Sequence, residues 1–92
     1  MIQEFRHKGL KKLFESGVFS GVNQQHVRRL KQILALLETA ENIDDMALPG
    51  LNLHEIKGNR KGTWSVQVTG NWRLTFISQK GDVFDVDYED YH

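Results

Sequence analysis

Two stretches hold most of the side chains able to do chemistry. Residues 53–76, LHEIKGNRKGTWSVQVTGNWRLTF, carry His54, Lys57, Arg60, Lys61 and Arg73. The last three residues, Asp90-Tyr91-His92, add a carboxylate, a phenol and a second imidazole. Imidazole, with an unperturbed pKa of about 6.5, gives and takes protons near neutral pH. Arginine clamps a phosphate through two parallel hydrogen bonds, and lysine adds a compact positive charge. Cleaving RNA by its own 2′-hydroxyl requires a base for that hydroxyl, an acid for the departing 5′-oxygen and cations for the crowded phosphate. It requires neither a metal nor a protein nucleophile, and the inventory here matches.

Each residue taken singly has a plainer reading. A histidine in a strand is more often a structural hydrogen-bonder than a catalyst, and a terminal histidine is usually a frayed end. Arg73 alone suits a surface ion pair. His7 and His26 fall in helical segments without a matching ligand set, so both read as surface residues and no zinc or other metal site is expected. No cofactor is expected either.

The elements that must position these groups follow from periodicity. Residues 2–5 form a short alternating run that suits an edge strand. Over 7–16, Leu10, Leu13 and Phe14 recur at helical spacing, and Gly17 stands where a helix stop is expected. Asn23 is a suitable N-cap for a second helix. There Val27, Leu30, Leu34 and Leu37 make one apolar stripe, widened by Ile33, Leu36 and Ala40. Residues 41–48 read as a helical continuation or a turn, ended by Pro49-Gly50.

From residue 51 the period changes to two. Residues 51–56 are a candidate strand, followed by the basic loop 57–62. Trp64, Val66 and Val68 then alternate with Ser65 and Gln67. Gly70-Asn71 suits a hairpin turn. Trp72, Leu74 and Phe76 alternate with Arg73 and Thr75, and after a turn at Lys80-Gly81 come Phe84, Val86 and Tyr88, alternating with Asp85 and Asp87. The order predicts α+β: two N-terminal helices packed on one face of a small, mainly antiparallel sheet. If Trp72, Leu74 and Phe76 face the helices, Arg73 faces away, with Ser65, Gln67 and His54 beside it and Lys57 nearby.

Composition narrows the classes. A chain of 92 residues suffices for one small domain over 1–92 and no second core. With no cysteine, disulfides, thiolate metal sites and cysteine nucleophiles are excluded, which fits a reducing cytoplasm. No stretch resembles a signal peptide or membrane span; the longest apolar run is 33–37. Net charge is zero but unevenly spread. Residues 1–31 hold seven Lys/Arg against two acids, 32–56 five acids and no Lys/Arg, 57–80 five Lys/Arg and no acid, and 81–92 five acids and no Lys/Arg. A basic face able to meet a polyanion is therefore compatible with zero net charge, and so is a merely solvated surface. Composition and spacing alone reach a small α+β domain with a polyanion-friendly face.

The motifs carry a further resemblance. LHEIKGNRKG at 53–62, Trp64-Ser65-Val66, NWRLTF at 71–76 and the closing YEDYH at 88–92 resemble a HigB-type toxin of the RelE/ParE toxin–antitoxin superfamily. The opening Phe5-Arg6-His7-Lys8-Gly9-Leu10 and the Leu13-Phe14 pair fit as well, so the resemblance spans essentially the whole chain. It implies a small twisted sheet with two N-terminal helices and ribosome-dependent cleavage of messenger RNA in the decoding site. By that resemblance His92 is the main proton-transfer residue, Asp90 orients or tunes it, and Tyr91 helps position the RNA. His54 is a second acid/base or an orienting group, and Lys57 and Arg73 stabilise the phosphorane-like transition state. The implied products are a 2′,3′-cyclic phosphate and a 5′-hydroxyl. Lys8, Lys11, Lys12, Arg28, Arg29, Lys31, Arg60 and Lys61 would dock on ribosomal RNA through phosphate contacts. The implied partner is a HigA-type helix-turn-helix antitoxin, through which alone DNA would be bound, in the bacterial cytoplasm and with no membrane role. Two departures concern substrate preference: Thr69 is neutral where many relatives carry a cation, and the loop at Asn59 and Lys61 is more basic. The same fold also includes gyrase poisons that are not nucleases, and a plain nucleic-acid-binding module is a third reading; the terminal Asp-Tyr-His favours the nuclease branch.

Overall fold

The computed structural model describes residues 1–60 and 62–90. Helix α1 spans Lys8–Ser16. It starts because His7 turns its ring back over the first turn, where Nδ1 accepts from the Leu10 N–H at 3.1 Å and satisfies a donor that has no intrahelical partner. It ends at Gly17, which takes the left-handed φ of 71° that a residue without Cβ adopts freely. His7 is therefore a half-buried cap and not the surface residue expected.

Helix α2 spans Val27–Thr39 and is preceded by a 3-10 turn, Gln24–His26. Asn23 does act as a cap, but of that turn: its Oδ1 accepts from the Gln25 N–H at 2.9 Å. Leu30, Ile33, Leu34 and Leu37 form the buried stripe. Leu36, expected to widen it, is exposed, because its position lies more than about a quarter turn from the stripe's centre. Residues 41–48 hold only a short 3-10 turn, Ile43–Met46.

The four strands are β1 (His54–Glu55), β2 (Thr63–Thr69), β3 (Trp72–Gln79) and β4 (Asp82–Asp90), paired antiparallel in the order β1-β2-β3-β4. The hairpin turns fall at Gly70-Asn71 and Lys80-Gly81, as the sequence indicates. The strand expected over 51–56 is cut to two residues, since Asn52 takes a left-handed φ of 49° and interrupts the extended chain. Leu51 still reaches the sheet, its carbonyl accepting from the Gln67 N–H at 2.7 Å. The edge strand expected over 2–5 is reduced to two single parallel bridges on β4, Ile2 with Val83 and Phe5 with Val86. They cover part of what is otherwise an open edge.

Both helices lie on one face, so the architecture is α+β as expected. Leu10 and Leu13 from α1 and the α2 stripe bury against Val66, Val68, Leu74 and Phe76, each large side chain contributing about 1.5–3 kcal/mol. In β4 the phase differs from strict alternation. That pattern groups Phe84 with Val86 and Tyr88, whereas the structure buries Val83 with them and leaves Phe84 half-buried. The β3–β4 register slips between Thr75 and Ile77, and Asp85 adopts φ 57°. One extra residue bulges out there, and a single-residue slip moves every side chain beyond it to the other face. No helix among the described residues is long and apolar enough to cross a membrane.

Candidate active site

The register decides which polar groups share the face away from the helices. His54 lies opposite Ser65, Ser65 opposite Thr75, and Thr75 opposite Asp87, forming one row across all four strands. Gln67, Arg73 and Glu89 form the next row. Directly opposed residues in an antiparallel ladder point to the same side, so His54 and Arg73 share the open face. Two strand spacings of about 4.8 Å and one two-residue step of about 6.8 Å put their Cα atoms on the order of 12 Å apart. Two long side chains can meet one phosphodiester group across that span.

Arg73 occupies an unusual position there. Its Nη1 is shielded from solvent and has no hydrogen-bond partner among the described residues. Glu89, its register neighbour, does not fill the role. The Glu89 carboxylate accepts from Arg60 Nη1 at 3.1 Å and Nη2 at 2.7 Å, and from the Thr75 hydroxyl at 2.7 Å. The Arg60 hydrogen bond is the main cause holding the Glu89 carboxyl below its ordinary pKa; burial opposes it, and the Thr75 hydrogen bond and the arginine charges of Arg60 and Arg6 reinforce it. A shielded guanidinium nitrogen without an acceptor is costly unless a ligand supplies one. A phosphate oxygen is such an acceptor.

His54 is exposed, and its Nδ1 lies 3.0 Å from the Asn52 carbonyl oxygen. A carbonyl can only accept, so this contact fixes the proton on Nδ1 in the neutral ring and leaves the Nε2 lone pair available. Lys57 is exposed just beyond β1, after Ile56, whose N–H donates to the Thr63 carbonyl at 2.8 Å. It stands at the opposite end of the sheet from the Arg73 row.

The rest of this face is less basic than expected. A cavity of about 300 Å3 beside the His54 row is lined by Arg6, Arg60, Thr63, Thr75, Ile77, Asp85 and Asp87. Arg6 meets Asp85 at 3.4 Å. The outward positions of β4 are acidic, and Arg6 on that side is paired with Asp85.

Asp90 does not share the face of Arg73. It lies opposite Trp72, on the side of the helices, at the exposed end of β4. Tyr91, His92 and Lys61, also named from the sequence as site residues, lie outside the described residues. Asp90 instead approaches a cluster the sequence reading missed. His26, expected at the surface, is 5% exposed, and its Nδ1 hydrogen-bonds the Tyr88 hydroxyl. Trp72 stacks within 4.6 Å of Tyr88 and meets the His26 ring at 5.4 Å. Burial pushes the Tyr88 phenol above its ordinary value, the Asn23 backbone hydrogen bond opposes this, and the Asp90 charge adds to it. A signal for His26 exists in the sequence: positions 26, 30, 33 and 37 fall at helical spacing with three buried apolar residues.

The cations expected to dock on RNA divide into two groups. Lys8, Lys11, Lys12, Arg28 and Lys31 are exposed on α1 and α2. Arg29 is not a free surface charge, because its Nη2 donates to the carbonyls of Gly50 at 2.9 Å and Gln67 at 3.3 Å. Arg60 is held by Glu89 and Thr75.

Comparison with known proteins bears on the family and the fold. A model of the family described as a RelE-like toxin of type II toxin–antitoxin system HigB matches residues 3–92. The endoribonuclease HigB of Proteus vulgaris is 48% identical over 92 residues, covering the whole of both chains. A chain of the YoeB–YefM complex from Staphylococcus aureus matches with a TM-score of 0.60 over 97% of this chain and 98% of that one. At 13% identity this last likeness is one of fold, and it carries the same helix and sheet arrangement.

Proposed function

The chain belongs to the HigB-like family of RelE-like toxins of type II toxin–antitoxin systems, and from that premise we propose that it is an endoribonuclease cutting messenger RNA on the ribosome. The single observation that supports it best is Arg73, whose shielded Nη1 has no acceptor among the described residues, on a face it shares with a histidine of fixed tautomer. The reaction needs no metal. A base removes the 2′-hydroxyl proton, the 2′-oxygen attacks phosphorus, and the 5′-oxygen leaves with a proton from an acid. The products are a 2′,3′-cyclic phosphate and a 5′-hydroxyl. Arg73 holds a nonbridging oxygen as charge builds, and Lys57 supports it from the far end of the face. His54 Nε2 accepts the proton and His92 donates one, with Asp90 and Tyr91 setting the geometry around His92.

The exposed cations of α1 and α2 dock on ribosomal RNA, and the ribosome supplies the substrate geometry that a shallow open face does not impose. The antitoxin partner is of the HigA type, the complex contacts DNA through it, and the setting is the cytoplasm.

The test is cleavage of messenger RNA on programmed ribosomes by protein stripped of metal beforehand, with ends mapped. Cuts in the decoding-site codon that disappear with His92→Gln and fall about 100-fold or more with Arg73→Ala support the reading. No cuts by folded protein that still arrests growth would overturn it.

A further inference from the structure

The cluster beneath Asp90 has no part in the chemistry just described, yet it joins the start of α2 to the end of β4. His26 is the last residue of the 3-10 turn and the residue from which α2 begins. Tyr88 lies two positions before Asp90 on the same side of the strand. Their side chains, 5% and 6% exposed, meet through His26 Nδ1 and the Tyr88 hydroxyl. The backbone of Asn23 lies beside the phenol and favours its charged form, against the effect of burial. Because burial favours the neutral phenol, Tyr88 keeps its proton. Tyr88 O–H donates to Nδ1, or Nδ1–H donates to the phenol oxygen, according to the ring's tautomer.

Other rings pack around this contact. Trp72, the register partner of Asp90, stacks on Tyr88, and the His7 ring meets Tyr88 edge-on at 5.4 Å. The loop carrying Asn23 is pressed against α1 at a crossing of two glycines. A Cβ on Gly9 would stand 2.8 Å from the Gly21 carbonyl carbon, and one on Gly21 would stand 2.8 Å from Gly9 Cα. Backbones approach this closely only where both residues lack side chains.

An apolar pair would fill this space without burying two polar groups, and a buried hydrogen bond adds little net stability over such packing. What it adds is direction, since it allows one separation and one orientation between the rings. We propose that the His26–Tyr88 hydrogen bond is a latch that sets the position of Asp90 for RNA cleavage. His26 and Tyr88 are positioning residues: neither touches the phosphate. This rests on the functional reading above, in which Asp90 belongs to the catalytic group.

The test uses the full chain with Tyr88→Phe, His26→Leu and His26→Asn, the last retaining a hydrogen-bonding nitrogen or oxygen near the place of Nδ1. Two quantities are measured on protein shown to be folded: the amide resonance of Asp90, and single-turnover cleavage on programmed ribosomes at saturating and subsaturating ribosome. The latch predicts that Tyr88→Phe and His26→Leu move the Asp90 amide and lower the saturating rate on the order of tenfold with half-saturation unchanged. His26→Asn should restore most of both. Lower thermal stability with an unmoved amide and a rate within about twofold of wild type would overturn the latch and leave a packing role. Should wild type itself fail to cut, the nuclease reading falls and the amide measurement alone decides the latch. If Tyr88→Phe and His26→Leu both unfold, His26→Asn with wild-type amide and rate upholds the proposal, and a displaced amide with a wild-type rate refutes it.

Discussion

Arg60 grips Glu89 with both terminal nitrogens, at 3.1 and 2.7 Å, and so turns that carboxylate away from Arg73, its partner in the strand register. One arginine on the open face is neutralised, while Nη1 of the other has no partner among the described residues. The pair also sets a pH dependence. Glu89 titrates lower in the folded chain than in the unfolded one, so its stabilisation is present above the unfolded value of about 4.3. It is lost as pH falls through the folded value. Glu89→Gln is expected to cost about 1 kcal/mol or less at pH 7, because both partners are partly exposed to solvent. The deficit should shrink as pH falls and vanish at an acid pH below the folded value, where the wild-type carboxyl is itself protonated. Urea unfolding at the two pH values measures it, and an equal deficit at both would refute the assignment.

The basic helices yield a contrast within one pair of neighbours. Arg29 bonds two carbonyls, of Gly50 and Gln67, whereas Arg28 is exposed. Arg29→Ala should therefore lower stability by about 1–2 kcal/mol, and Arg28→Ala should stay within about 0.5 kcal/mol of wild type. Ribosome binding should reverse the order: charge reversal at Arg28 and Lys31 weakens it and flattens its salt dependence. Thermal unfolding and cosedimentation at two salt concentrations separate the two effects. Unchanged binding by the double reversal would remove α2 from the docking face.

The crossing of Gly9 and Gly21 is the place where one methyl group matters most. A Cβ at Gly9 lies 2.8 Å from the Gly21 carbonyl carbon and 2.9 Å from His7 Cε1. Backbone on one side and a capping ring on the other leave little room to yield. Gly9→Ala is expected to destabilise by about 1–3 kcal/mol, although alanine favours a helix by about 1 kcal/mol over glycine. A gain in urea midpoint would mean that the loop moves aside freely.

Much of this was legible in the sequence because period and position agreed. The α2 stripe, the Gly17 stop, both hairpin turns and the outward direction of Arg73 follow from local rules that nothing in the fold opposes. The errors fall where a long-range contact decides. Phe84 and Val83 exchange places because of a bulge at Asp85, which a left-handed aspartate does not announce. Asp90 departs from Arg73 for a plainer reason, since it continues the alternation of Val86 and Tyr88 and so lies on their side of the strand, opposite Trp72. His26 is buried by a phenol 62 positions away. Arg29 and Arg60 look like surface cations until their acceptors, on distant segments, are in place. Residue type suggests which chemistry the face could do; pairing decides which of those residues share it.

The fixed tautomer of His54 leads to the most discriminating measurement. With Nδ1 bonded to the Asn52 carbonyl, its neutral ring offers Nε2 as an acceptor, which suits the base that activates the 2′-hydroxyl. On the proposal above, His92 is the residue expected to supply the proton to the leaving oxygen. Replacing that bridging 5′-oxygen with sulfur gives a leaving group that departs as a thiolate and needs no acid. On ordinary message, His54→Gln and His92→Gln should each lower cleavage by about 100-fold or more. On the sulfur-bridged message His92→Gln should recover most of the wild-type rate, while His54→Gln stays impaired, since its missing base is needed in both. Recovery of His54→Gln in place of His92→Gln would exchange the two roles. Recovery of neither would mean that both histidines act before the leaving group departs.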